Sequence, residues 1–202
     1  MTGDVAAYVC ANLPSPPARI LEVGAGEGRL AQHLREAGHD VLAIDPEPGG
    51  PGVDRVSLHE LDEPPASFAA AVAVVSLHHV EPLPESVDRL ASLLAPGGTL
   101  VVDEFDVAAF DTTAAGWWLE QRGAEHVKGR TAADLVGEHR SHLHPVERIV
   151  ETLQPAFRVG LPIRGAYLYR WDLDESLRPV EERLIAERRL PAVGVRFVAI
   201  RR

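Results

Sequence analysis

The sequence predicts an α/β domain wound on both faces of a mostly parallel sheet, and two observations carry that prediction. From residue 19 to residue 103, short apolar runs of strand length alternate with stretches whose apolar residues recur at helical spacing. The first run closes in Gly24-Ala25-Gly26-Glu27-Gly28 and the second in Asp45-Pro46. A glycine turn and an acidic strand end thus fall at the edge where open α/β sheets receive ligands. The 202 residues suffice for one sizeable core and not comfortably for two.

The elements follow in order. A helix over 4–13 sets Val5, Val9 and Leu13 on one face and stops at Pro14-Ser15-Pro16-Pro17. Arg19-Ile20-Leu21-Glu22-Val23 reads as a buried strand. After the glycine turn, a helix from about residue 27 aligns Leu30, Ala31, Leu34 and Ala37, with Gly38 as its cap. Val41-Leu42-Ala43-Ile44-Asp45 is the second strand, 53–58 a short third, and 71–77 a fourth, continuous as buried parallel strands are. Val87, Leu90, Ala91 and Leu94 mark a helix, and Ala95-Pro96-Gly97-Gly98 turns the chain into a fifth strand over 99–103. From 104 to about 153 helical stripes replace strands. There Thr131-Ala132-Ala133-Asp134 reads as a capping box with Asp in place of Glu. Sheet character returns at 166–170 and 194–200, either side of a charged helix over 174–189. The expectation is one domain: core over about 18–104 and 155–202, and a helical cover over about 105–153.

Composition narrows the function classes. The formal net charge of -10 argues against a partner held by its phosphate backbone, so no nucleic acid is expected. A single cysteine, Cys10, excludes an intrachain disulfide and suits a reducing compartment; its amphipathic setting reads as a small buried apolar residue. No run approaches the ~18 apolar residues of a membrane span, and the N-terminus lacks a basic start and apolar stretch. A cytoplasmic enzyme or binding protein, with no membrane partner, is expected. Oligomeric state is not legible.

Glycines at alternate positions after a buried strand let the backbone turn tightly and approach a ligand without Cβ interference. Open N–H groups and the positive end of the helix favour an anion, here a methionine carboxylate, while Asp45 can accept hydrogen bonds from ribose hydroxyls. Nicotinamide and flavin dinucleotide sites use G-x-G-x-x-G, whereas here the third glycine, Gly28, arrives one residue early.

On these residues a resemblance is visible. The segment ILEVGAGEGRLAQHLREAGHDVLAIDPEP resembles the first motif and acidic second strand of class I S-adenosylmethionine-dependent methyltransferases. VVSLHHVEP resembles the segment after the fourth strand, and LLAPGGTLVVDEF the fifth-strand motif, of the family's small-molecule, type 11/12-like branch. GAYLYR, a helix and GVRFVAIRR suit its antiparallel sixth and seventh strands. The likeness covers nearly the whole chain except the helical stretch.

It implies a Rossmann-like doubly wound seven-stranded sheet, mostly parallel with an antiparallel seventh strand, a helical insertion after the fifth, and S-adenosylmethionine as cofactor with S-adenosylhomocysteine as product. Glu22, Gly24, Ala25, Gly26 and Gly28 would shape the methionine end of the site, and Asp45 would hold the ribose. Pro46 would lie beside the adenine, and Ser76 and Leu77 would border the sulfonium. The aspartate that often meets the adenine amine falls at Ser57-Leu58-His59, which lacks it and leaves Leu58 as the candidate there. Phe68-Ala69 stands where Phe-Asp often enters the fourth strand.

In-line methyl transfer needs an aligned nucleophile and, for a hydroxyl, a proton acceptor. His79 and His78 follow the fourth strand, and Glu104 follows the fifth with Asp103 and Asp106; His79 is the preferred base and Glu104 the preferred carboxylate. Phe105, Trp117, Trp118 and His142 are candidate substrate contacts, the two tryptophans being unable to share one helical face. His139, His142 and His144 invite a metal, but a serine stands at position 76 where metal-dependent relatives need a carboxylate, so no metal is expected. The expected acceptor is a small molecule, methylated at O, N or C. Two rival readings are an NAD(P)-dependent oxidoreductase, disfavoured by the glycine spacing, and a non-catalytic S-adenosylmethionine-binding regulatory module.

Overall fold

A computed structural model describes residues 3–47, 49–123 and 129–202. Eight strands form one sheet: β1 (Arg19–Val23), β2 (Asp40–Asp45), β3 (Val53–Arg55), β4 (Phe68–Val74), β5 (Leu94–Phe105), β6 (Phe157–Val159), β7 (Ile163–Gly165) and β8 (Gly194–Arg201). Their order is β3-β2-β1-β4-β5-β8-β6, with β7 also on β8. The first five pair in parallel, and β8 runs antiparallel to β5, with Thr99 opposite Ile200 and Phe105 opposite Gly194. β6 and β7 meet β8 antiparallel in turn. The doubly wound sheet, its antiparallel late strand and the strand-poor stretch after β5 agree with the expectation.

Alternation along the strands sorts two cores. Leu21, Val23, Ala71, Ala73, Leu100 and Val102 face α3 (Leu83–Leu93) and a helix over Val146–Leu153. Ile20, Val41, Ala43, Ala70, Val72 and Val101 face α1 (Gly3–Asn12) and α2 (Arg29–Glu36). A third cluster closes the far end. It packs Phe105 and Phe110 against α4 (Thr112–Arg122), α5 (Ala132–His142) and the segment around Leu168. Asp111 caps α4 through the Thr113 and Ala114 N–H groups, both at 2.9 Å. The Thr131–Asp134 capping box forms as read, with both reciprocal bonds present. The Val146–Leu153 helix is α6, and α7 spans Arg178–Ala186.

Three expectations are corrected. Residues 166–170 are not a strand: β6 and β7 lie upstream of them, and Leu168–Arg170 is a 3-10 turn. The Tyr167, Leu168 and Tyr169 N–H groups go to a carboxylate on α7, as described below, and not to a neighbouring strand. The fifth strand begins at Leu94 and runs through the expected Ala95–Gly98 turn, accommodated by a register shift against β4 between Phe68 and Ala70. Cys10 is exposed, because α1 turns Val5 and Val9 inward.

Candidate active site

The glycine turn is built by contact and by hydrogen bonding. Gly24 sits at φ +70° against the turn that follows β4, where an added Cβ would come 2.3 Å from Ser76 Cβ. Only glycine allows that approach. The Gly24 and Ala25 N–H groups donate to the Ile44 carbonyl at 2.9 and 3.0 Å, and Gly28 N–H to the Ala25 carbonyl at 2.9 Å. Gly26 N–H donates to Asp45 Oδ2 at 2.8 Å, while Glu47 N–H donates to Asp45 Oδ1 at 2.9 Å. The expectation of open turn amides is therefore corrected: β2 takes up three of them. Asp45 ties the turn to the strand end, and each of its oxygens keeps a lone pair for a further donor.

Beside this turn runs a cleft of about 490 Å³ along the carboxyl edge of β1, β2 and β4. Gly24, Asp45, Pro46, Ser57, Leu58, Ser76 and His79 are among the residues that line it. Under the turn, a smaller recess of about 250 Å³ is lined by Glu22, Ala25 and Leu30 among others. Glu22 is 4% exposed, and its Oε2 has no hydrogen-bond partner. Burial pushes its pKa up to about 7, against the opposing pull of Arg35 and the Ala31 N–H. An orphaned carboxylate oxygen of this kind is the complement of a ligand cation.

After β4 the chain passes through Val75, a β-branched residue at φ +52° whose N–H donates to the Asp103 carbonyl at 2.7 Å. Backbone strain of this sort clusters at functional sites. The turn beyond it hangs on Glu104, which is fully buried. Glu104 Oε1 accepts the Ser76 and Leu77 N–H groups at 3.0 and 2.6 Å, and Oε2 accepts Phe105 N–H at 3.1 Å. His78 Nδ1 meets Oε2 at 2.5 Å. Backbone amides can only donate, so the carboxylate is an acceptor throughout and Nδ1 carries the proton toward it. Nε2 is then the ring nitrogen left to accept.

The His78 ring lines a second cavity of about 260 Å³. Phe105, Tyr167 and Trp171 supply aromatic walls, and His139 and His142 close it from α5. Val75 and His79 line both this cavity and the cleft, so the two spaces meet at that junction. Partial burial, then the adjacent His78 ring, pushes the His79 pKa down to about 4 against the pull of Glu104. The His139 pKa is lowered chiefly by burial, and its Nδ1 is 2.8 Å from the Leu135 carbonyl.

Of the residues read from sequence, Gly24, Asp45, Pro46, Leu58 and Ser76 line the cleft, Glu22 and Ala25 line the recess, and Gly26 and Gly28 belong to the turn between them. Leu77 does not: its side chain is buried in the core against α3. His78, His79, Phe105 and His142 line the second cavity, but Glu104 lies behind His78 with both oxygens engaged. It positions an imidazole and does not face the cavity. Asp103 pairs with Arg170 and Arg196, and Asp106 with Arg164, which takes both away from the site. Neither Trp117 nor Trp118 lines the cavity; Trp118 stacks behind Trp171 with ring centres 4.5 Å apart. His144 turns away toward the Val80 carbonyl and Glu81, at 3.1 and 2.9 Å. Sequence reading missed Val75, His139, Tyr167 and Trp171 as lining residues; no local pattern sets them apart.

A family model described as a methyltransferase domain matches residues 4–139. The chain is similar to the ubiquinone biosynthesis O-methyltransferase of Xanthomonas campestris, 36% identical over 138 residues, covering 59% of this chain and 54% of that one. The enzyme of the same name from Xylella fastidiosa is 36% identical over 155 residues, covering 69% and 61%. The chain thus spans about half to three-fifths of the length of these curated relatives. Among solved structures, an S-adenosylmethionine-dependent methyltransferase from Mesorhizobium loti superposes with a TM-score of 0.62 at 20% identity, over 96% of this chain and 95% of the other. That likeness is one of fold.

Proposed function

The chain belongs to the methyltransferase-domain family, of the class I S-adenosylmethionine-dependent kind, and from that premise we propose that it transfers a methyl group from S-adenosylmethionine to a small-molecule hydroxyl. The residues fit this cofactor on the molecule's own terms. Glu22 Oε2, buried without a partner beside the glycine turn, complements a ligand ammonium, and Asp45 retains lone pairs for ribose hydroxyls. Pro46 and Leu58 flank the place for the adenine. S-adenosylmethionine supplies a sulfonium-activated methyl group and retains the bonding pair of the broken S–CH3 bond as S-adenosylhomocysteine.

The observation that carries the reaction type is the His78–Glu104 pair next to the junction of cleft and cavity. Glu104 holds His78 with its proton on Nδ1. His78 Nε2 takes the acceptor's hydroxyl proton, and the freed oxygen lone pair forms the new O–C bond. An amine needs no such acceptor while it attacks, which favours a hydroxyl. The helices over 105–153 would serve as the acceptor's cover, as irregular elements on a rigid scaffold often do. The single cysteine supports a reducing, cytoplasmic setting.

Calorimetric titration with S-adenosylmethionine, S-adenosylhomocysteine and the nicotinamide dinucleotides tests the cofactor. Binding of the first two, and not of the dinucleotides, is expected. No heat with either sulfur compound would sink the proposal.

A further inference from the structure

We propose that the second cavity selects a compact, flat, uncharged aromatic alcohol, held against its aromatic walls with its hydroxyl toward His78. The inference rests on the reading that the neighbouring cleft takes S-adenosylmethionine, and it names the acceptor that this reading leaves open.

Four properties of the cavity converge on that chemistry. Its walls are rings: Phe105 stacks on Tyr167 with centres 5.1 Å apart and stands 6.0 Å from Trp171, while His139 meets Trp171 edge-on at 4.9 Å. Such walls offer π faces and edges to another planar ring. Among the described residues, no Asp, Glu, Lys or Arg lines the space. A carboxylate or phosphate on the acceptor would enter without a counter-charge, which burial penalises.

Imidazoles supply the polar groups instead. With the His79 and His139 pKa values held low, these two rings stay neutral at neutral pH and can exchange hydrogen bonds with a hydroxyl without presenting a charge. With His139 Nδ1 occupied by the Leu135 carbonyl, its Nε2 is left to accept a hydrogen bond from a second hydroxyl. Finally, about 260 Å³ lies below the range of roughly 300–1,000 Å³ typical of drug-sized ligands. One ring, or two fused, matches that space; a long apolar tail does not.

The walls are held by more than packing. Glu181, fully buried on α7, accepts the Tyr167 and Leu168 N–H groups on Oε1 at 2.8 and 2.9 Å and the Tyr169 N–H on Oε2 at 2.8 Å. That carboxylate fixes the turn bearing Tyr167 and leading to Trp171, as Glu104 fixes the turn bearing His78 and His79. The slot is therefore set before any ligand arrives, a condition for recognising shape.

The test titrates the protein with 4-methylcatechol and 2-naphthol, followed by tryptophan fluorescence, which Trp171 and the stacked Trp118 report, and by calorimetry. Comparison compounds are 3,4-dihydroxybenzoate, cis-1,2-cyclohexanediol and a geranyl-substituted catechol. The two flat neutral probes should bind at least about tenfold more tightly than each comparison compound, the scale of one ring–ring contact or one unpaired charge. Trp171→Leu should weaken 4-methylcatechol about tenfold while leaving S-adenosylhomocysteine affinity within about twofold. Equal or tighter binding of the charged, puckered or tailed compound, or an unchanged catechol affinity in Trp171→Leu, overturns the proposal. Titrations run with and without S-adenosylhomocysteine. Failure of that compound to bind overturns the cofactor reading, while ring selectivity measured without it still decides the cavity.

Discussion

Replacing Glu104 by Gln separates the positioning of His78 from its mere presence. The carboxylate accepts four hydrogen bonds: from Ser76 and Leu77 on one oxygen, and from Phe105 and His78 on the other. The amide of Gln keeps the first pair if its oxygen faces Ser76 and Leu77, and the opposite orientation would orphan both. In the better orientation its NH2 group confronts the Phe105 N–H donor and turns His78 Nδ1 into an acceptor. His78 then carries its proton on Nε2 and can no longer take one from the acceptor hydroxyl. One buried N–H left unpaired costs about 1–3 kcal/mol. At roughly 2–4 °C per kcal/mol for a domain of this size, the melting temperature should fall by about 2–12 °C. Loss of a positioned proton acceptor should lower kcat by about 10²- to 10⁴-fold. Both are measurable, by thermal melting and by S-adenosylhomocysteine release, with cofactor binding as the control expected to hold. A Glu104→Gln enzyme with kcat within threefold of wild type would refute the role assigned to the pair.

Three further outcomes address the cleft and the recess. Asp45→Ala leaves the Gly26 and Glu47 amides, and the ligand ribose, without their acceptor; S-adenosylhomocysteine affinity should fall by about 1–3 kcal/mol, or about 5- to 150-fold, and an unchanged Kd would move the ribose elsewhere. Glu22 has a pKa near 7 in the fold against 4.5 for an unperturbed carboxyl, so between those values the native state holds a proton the unfolded chain has lost. Stability should therefore decline as pH rises from about 4.5 to 7, and Glu22→Gln should flatten that slope. A ligand ammonium beside Glu22 favours the ionised form, so binding at pH 7 should release protons; calorimetry in two buffers of different ionisation heat, giving equal heats, would count against that contact.

What the sequence discloses depends on how local the cause is. β1, β2 and the glycine turn are legible because their determinants lie within a few residues: apolar runs, a positive φ at Gly24 and an acid at the strand end. The capping box of α5 is equally local. Residues 166–170 misled because their apolar content resembles a strand, while the amides of Tyr167, Leu168 and Tyr169 are claimed by Glu181, more than ten positions away. The same distance in sequence hides the distinction between His78 and His79. Only the partner 26 residues on, Glu104, makes one ring a held base and leaves the other at the junction. Trp171 follows no periodicity and joins the cavity through the turn that Glu181 fixes.

Two buried carboxylates, Glu104 and Glu181, hold two turns that border the acceptor cavity by their backbone amides, and Glu104 also grips the His78 ring. Apart from His78, frame and lining are thereby uncoupled. A change at Trp171, His139 or His142 alters what the slot recognises without moving the chain that presents it, so new acceptors are reachable by single substitutions that leave the fold and the methyl donor's site untouched. A lineage that keeps these two glutamates can exchange its substrates at little structural cost.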